Sequence, residues 1–169
     1  MNATELRAAQ APFKERYRND PASALQTLSA VGQLGVNSQT CVLQISGHEV
    51  AAGLHPSTGG DGKSACSAEI LLQSLVSCAG VTLTAVATAM ELPVLGGSIT
   101  AEGDVDFRGT LGVSKESPVG FTAIRLKFDL QTTATPEQLA TLIKLTERYC
   151  VIYQTLKNPP PITTELTQG

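Results

Sequence analysis

Between Glu69 and Glu91 the chain runs without a charge through ILLQSLVSCAGVTLTAVATAM, the stretch that most restricts what it can fold into. About 20 apolar residues are enough to cross a bilayer. Here Gln73, Ser74, Ser77, Thr82, Thr84 and Thr88 interrupt the run, and no cluster of Lys or Arg flanks it to orient a span. It reads instead as a helix outside any membrane, apolar on nearly every side, of the kind that belongs at the centre of a domain or of a dimer. Ser67 is placed to cap its start and Glu69 to meet the helix dipole in the first turn. Pro93 and Gly96-Gly97 stop it, which sets the central helix at 67–91.

The distribution of charge extends this reading. Residues 21–97 carry only Glu49, Asp61, Lys63, Glu69 and Glu91, whereas residues 98–169 carry eight acids and seven bases. The first stretch is therefore expected to hold most of the buried core. Charged residues are 16% of the chain, short of the ~25% usual in soluble proteins, which points to surface buried by oligomerisation. A net charge of −3 and 4% aromatic residues exclude the basic stripe or stacking platform of a nucleic-acid binder. With 169 residues the chain reads as one domain, 1–169, large enough for a core without disulfide staples. No apolar segment follows Lys14, Arg16 and Arg18 as a secretory signal requires, so a cytoplasmic protein is expected. In that compartment Cys41, Cys66, Cys78 and Cys150 read as thiols.

The flanking segments give an α+β pattern. Residues 1–20 form an N-terminal helical segment with Leu6, Ala9, Phe13 and Tyr17 in one stripe, ended by Pro21. Residues 21–54 read as a β-meander of three short strands, 24–34, 39–46 and 48–54. HPSTGGDGKSAC, 55–66, is a surface loop that lacks the spacing of a P-loop. In 98–131 a β-hairpin is expected, with Ile99, Ala101, Gly103, Val105 and Phe107 alternating against Glu102, Asp104 and Asp106, and Ile124, Leu126, Phe128 and Leu130 against Arg125 and Lys127. Antiparallel pairing lets the two bases face the acidic row. Thr135-Pro136-Glu137-Gln138 is a capping box that opens a second helical region, 135–157, interrupted near Cys150. ITTEL, after Asn158-Pro159-Pro160-Pro161, reads as a short closing strand.

The cysteines carry the candidate chemistry. Cys78 lies mid-way along the apolar helix, where a thiol usually serves as a small hydrophobe. Cys150 follows Thr146, Glu147 and Arg148 at a helix end, where solvent can reach it. One shielded and one edge thiol would suit a peroxidatic and resolving pair, but spacing alone does not bring them together. His55, Cys66, Cys78 and Cys150 can be drawn as metal ligands, yet no CxxC or HxxxH pair pre-organises a site, and no metal is expected. Cys66 reads as a packed loop residue, Cys41 as core, and His48 and His55 as loop residues without partners.

The runs AEILLQSLVSCAG (68–80), EGDVDFRG (102–109), GFTAIRL (120–126) and TERYCVIYQTL (146–156) together resemble the OsmC and organic hydroperoxide resistance family over about residues 48–165. The resemblance implies an OsmC-like fold, with two central helices packed against antiparallel β-sheets in an intertwined homodimer. It also implies a thiol-dependent peroxidase that needs no cofactor beyond an external dithiol reductant. It puts Cys78 in the place of the reactive cysteine and Cys150 in that of its disulfide partner. Val151 stands where the family commonly has proline after the second cysteine. Residues 24–54 contain no arginine, where the hydroperoxide resistance branch supplies one to the thiolate; Arg16 and Arg18 are the first substitutes, and Arg108 and Arg148 come after them. Glu69 matches the family's acid before the reactive cysteine. Nine residues of straight helix set it ~13 Å from Cys78 and on the opposite side, so it acts there only across a helix break or from a partner subunit. Otherwise it serves the helix dipole.

The expected activity is reduction of organic hydroperoxides to alcohols, with Leu71, Leu75, Val81 and Phe121 as the apolar surroundings. The alternatives are a catalytically weak dimer of the same fold that binds an apolar small molecule in its interface cleft, and a structural dimer without a ligand.

Overall fold

A computed structural model describes residues 1–168. The element order is α1 (Ala3–Asn19), β1 (Gly32–Leu34), β2 (Cys41–Ile45), β3 (His48–Gly53), β4 (Ala65–Cys66), α2 (Ser67–Ala89), β5 (Val94–Val105), α3 (Phe107–Thr110), β6 (Phe121–Thr132), α4 (Pro136–Tyr149) and α5 (Val151–Lys157), with 3₁₀ turns at Pro21–Ala24 and Pro56–Thr58. The strands form two separate sheets, one ordered β1-β2-β3-β4 and one made of β5 and β6.

The centre of the protomer is set by a four-residue repeat on α2. Leu75, Ala79, Leu83 and Ala87 are its buried residues, and positions four apart share one helix face. Leu75 and Ala79 pack with Cys150 against Ala101, Ile124 and Leu126 of the hairpin and Ile152 and Leu156 of α5. Leu83 and Ala87 pack with Leu142 of α4 against Phe128 and Leu130. The hairpin can supply one apolar face because its register pairs Ala101 with Leu126 and Ile99 with Phe128. Its other face carries the expected charge ladder. Arg125 reaches Asp104 at 2.5 Å and Glu102 at 3.2 Å, and Lys127 reaches Glu102 at 2.6 Å. Those partners hold both carboxyls below their ordinary pKa. Asp106, expected in the same row, instead takes Arg108 at 2.6 Å, because the strand has given way to the turn of α3 by then. Gly103 leaves room for the Phe121 ring, which any Cβ there would strike.

Both helix starts that have capping boxes are well formed: Asn2 with Glu5 opens α1, and Thr135 with Gln138 opens α4. The start of α2 differs from expectation by one residue. Cys66, still extended where β4 pairs with Gly53, is the N-cap, it makes no side-chain cap bond, and Ser67 is the first helical residue. The far end of α2 is tied to α1 by Arg7 and Glu91 at 3.2 Å.

Two expectations are overturned. The meander pairs only from Gly32, and the expected first strand over 24–34 shrinks to Gly32–Leu34, leaving Leu25, Leu28 and Val31 exposed. ITTEL is not a strand: it finds no partner in its own chain, and Ile162 is 90% exposed. The stretch 21–97 does supply four of the seven buried apolar residues among those described, but all four, Leu75, Ala79, Leu83 and Ala87, lie on α2. Among the described residues none in 21–66 is buried, and the buried set divides between α2 and the region around α4, with Ala3 besides. Among the described residues the four-stranded sheet meets the rest of the chain chiefly at the β4–α2 junction, with His55, just after β3, stacked on Phe107 at a centroid distance of 4.9 Å.

Leu142 is wholly buried between α2 and the hairpin. Leu142→Ala is expected to cost about 2–5 kcal/mol, read as a lowered urea midpoint with unchanged slope; a loss under about 0.5 kcal/mol would mean the α2–α4 seam is not where the protomer's stability resides.

Candidate functional site: a pair of thiols between two helices

Helix α4 ends at Cys150 because that residue turns extended, φ −74° and ψ 111°, and α5 begins immediately after it. Cys150 is thus the C-cap of one helix and the N-cap of the next. Its backbone N–H donates to the Thr146 carbonyl, and its sulfur accepts from the Tyr153 N–H at 3.4 Å. The break drives the side chain inward, and Cys150 is 1% exposed among Leu75 and Ala79. Cys78 stands one residue before Ala79 on α2, half-buried, and packs on the same cluster. The two thiols meet at this cluster and each acts on the other's ionisation, and both are free.

Their surroundings push them in opposite directions. Burial raises the Cys78 pKa and is the largest single influence, but it is outweighed by the Ile152 N–H, the Cys150 thiol, the Val151 N–H and the Thr82 hydroxyl, so the thiol ends below its ordinary value. Val151 and Ile152 open α5, where backbone N–H groups lack helical partners and are free to donate. Cys150 moves up, chiefly through burial and further through donating to Cys78, although the Tyr153 N–H opposes this. Of the pair, Cys78 is therefore the more readily ionised thiol. An attacking sulfur needs that property.

The other sequence candidates lie elsewhere. Arg16 reaches the Tyr17 hydroxyl at 3.4 Å and lies over the Phe13 and Tyr17 rings, and Arg18 shares an exposed groove of α1 with Arg7, Lys14 and Glu15. Neither is among the groups that act most strongly on Cys78, none of which is a cation. Glu69 lines a cavity of about 300 Å³ with His55, Cys66, Leu72, Phe107 and Phe121, in the first turn of α2, which is unbroken from there to Cys78. Within one chain it does not join the thiol pair. His55, expected to be without a partner, accepts from the Ser57 N–H and stacks on Phe107. Of the expected apolar surroundings, Leu75 is buried against Cys150, Leu71 and Val81 face outward, and Phe121 borders a cavity of about 450 Å³ with Leu75, Ile124, Leu126, Tyr153 and Glu147. Among the described residues no three His, Cys, Asp or Glu side chains gather as a metal would need. Thr82 and the Val151 and Ile152 amides went unnoticed in the sequence. The spacing of four between Cys78 and Thr82 was the available signal; the amides gave none.

Residues 60–165 match the family described as OsmC-like protein. The fold is shared with the OsmC-like protein of Mycoplasma pneumoniae, at a TM-score of 0.66 and 13% identity over 79% of this chain and 89% of that one. It is also shared with an organic hydroperoxide resistance protein from Elizabethkingia anophelis, TM-score 0.60 and 14% identity over 80% and 91% of the two chains. The organic hydroperoxide resistance protein OsmC from Legionella pneumophila aligns at TM-score 0.58 and 11% identity over 79% and 93%. At these identities the likeness is one of fold. No curated protein matches the sequence.

Val151→Pro removes one donor to Cys78, and the extended Cys150 that precedes it tolerates proline. Iodoacetamide at neutral pH is expected to label Cys78 before Cys150 in the parent and to label Cys78 several-fold more slowly in the variant; peptide-resolved mass spectrometry reads both, and equal rates in parent and variant would remove the Val151 amide from the account.

Proposed function

The chain belongs to the OsmC-like family, and on that premise we propose that it is a cysteine-based peroxidase that reduces organic hydroperoxides. The observation that supports this most is the meeting of Cys78 and Cys150, from helices far apart in sequence, with the Cys78 thiol drawn down and the Cys150 thiol pushed up. The names of the hydroperoxide resistance proteins that share the fold point the same way.

The steps follow from thiol chemistry. The Cys78 thiolate attacks the distal oxygen of ROOH, the O–O bond breaks, and the alkoxide leaves and takes up a proton as ROH. Sulfur is oxidised to the sulfenic acid. The Cys150 sulfur then attacks the sulfenic sulfur, the S–S bond forms and water leaves. An external dithiol restores both thiols by exchange. The half-buried position of Cys78 beside Leu75, Ala79 and Ile152 favours peroxides with an apolar substituent, since burying that substituent adds to binding.

The proposed working form is a homodimer. Val81 on the outer face of α2 is 72% exposed and Leu28 is 91% exposed. Apolar surface on this scale, beside a sheet none of whose residues is buried among those described, is what a second copy would cover. Glu69, and Arg16 or Arg18, would then reach Cys78 from the partner rather than from its own chain. Free thiols and a dithiol reductant suit a cytoplasmic setting.

One equivalent of cumene hydroperoxide added to reduced protein is expected to remove two hydrogens, mapped to Cys78 and Cys150, faster than hydrogen peroxide does. Cys78→Ser is expected to lose peroxide consumption, and Cys150→Ser to stop at the sulfenic acid, trapped by dimedone. Oxidation confined to Cys66, or none, would defeat the peroxidase reading and turn attention to an apolar ligand in the cleft. Sedimentation is expected to show a dimer that Leu28→Asp weakens at least tenfold.

A further inference from the structure

Beside the thiol pair, between β6 and α5, lies the cavity of about 450 Å³, a size at which small-molecule ligands are held. Leu75, 2% exposed, closes its inner end. Ile124, Leu126, Tyr153 and Leu156 wall it and also pack on the cluster around Cys150. The side chains that shelter the buried sulfur thus turn a second, mostly apolar surface to this cavity.

Two charges of opposite sign stand on the same lining. Glu147, half-buried in the last turn of α4, and Lys157, exposed at the end of α5, both border the cavity, and among the described residues neither is ion-paired. The Lys157 Nζ lies 5.6 Å from the centroid of the Tyr153 ring, itself part of the wall. Thr122, also on the lining, has its hydroxyl committed to the Asp104 carbonyl at 3.1 Å. An anionic head group entering here is attracted by Lys157 and repelled by Glu147, and a cationic one meets the reverse. A hydroxyl, which donates one hydrogen bond and accepts two, suits both.

We propose that this cavity is a binding site for an aliphatic alcohol, with the chain against Leu75, Ile124, Leu126 and Leu156 and the hydroxyl donating to the Glu147 carboxylate and accepting from the Lys157 ammonium. Neither sulfur takes part, so the site stands apart from the peroxidase reading. On that reading its ligand class includes the alcohol that the reaction releases.

The test is calorimetric titration of the reduced, full-length protein with 1-octanol, and with 1-hexanol, octanoate and octylammonium for comparison. The expected result is one saturable site with a Kd below about 1 mM for 1-octanol. Binding of 1-hexanol is expected to be about tenfold weaker, since each methylene is worth roughly threefold, and each charged analogue at least about fivefold weaker than 1-octanol. Glu147→Gln is expected to bring octanoate to within about twofold of 1-octanol, and Lys157→Gln to do the same for octylammonium. Ala123→Trp, which sends a ring into the cavity from an exposed position on β6, is expected to abolish binding of all four, and Cys78→Ser to leave it unchanged. Circular dichroism establishes that each variant is folded; if tryptophan is not tolerated, the two charge variants carry the comparison. Absence of saturable 1-octanol binding overturns the proposal, and a second copy seated over the cavity would give that result. Equal affinity for the three head groups in the parent also overturns it, as does undiminished binding in a folded Ala123→Trp. Binding with the expected selectivity in a protein that consumes no hydroperoxide supports the site and overturns the peroxidase reading alone.

Discussion

The seam between α2 and the apolar face of the β5–β6 hairpin fixes the positions on which the site depends. Leu75 and Leu83 fill the spaces between strands, while Ala79 and Ala87 let the backbone approach closely. The stripe of buried residues four apart fixes the helix's rotation about its axis, since turning it would carry the stripe off the hairpin, and the alternation of large and small fixes its axial register, since sliding by one turn would put leucine where alanine fits. That rotation is what brings Cys78 toward the α4–α5 break. A thiol next to a fully buried alanine is half-buried by geometry, near enough to the core to lose water and near enough to the edge to meet a substrate.

Much of this was legible in the residues. The capping box at Thr135, the charge ladder with Arg125 as its hub, and the helix from Ser67 to Ala89 all follow from local patterns, whose physics acts over a few residues. The failures share one cause. Leu25, Leu28 and Val31 look like a buried strand, and ITTEL like another, because hydrophobic pattern reports that a segment will be covered and not by what. Low charge over 21–97 reports cover in the same general way: α2 is buried in its own protomer, while no described residue of 21–66 is.

The candidate site was half legible. Two cysteine motifs far apart pointed to the same chemistry, and folding does bring their sulfurs together. The electrostatics could not be read, because backbone amides dominate the favourable influences on Cys78 and every residue except proline has one. Only the break at Cys150, which exposes the first amides of α5, converts an anonymous feature of the backbone into a local one. Within one chain, a side-chain search for a cation finds none among the groups that act most strongly on Cys78.

Cys150 joins two helices and also receives the Tyr153 amide on its sulfur. The one sulfur therefore has two neighbours of different kinds, the first turn of its own following helix and a thiol of the central one. In the disulfide proposed above, the atom that caps α5 would be the atom that joins it to α2, so the helix start and the redox state would share a single side chain.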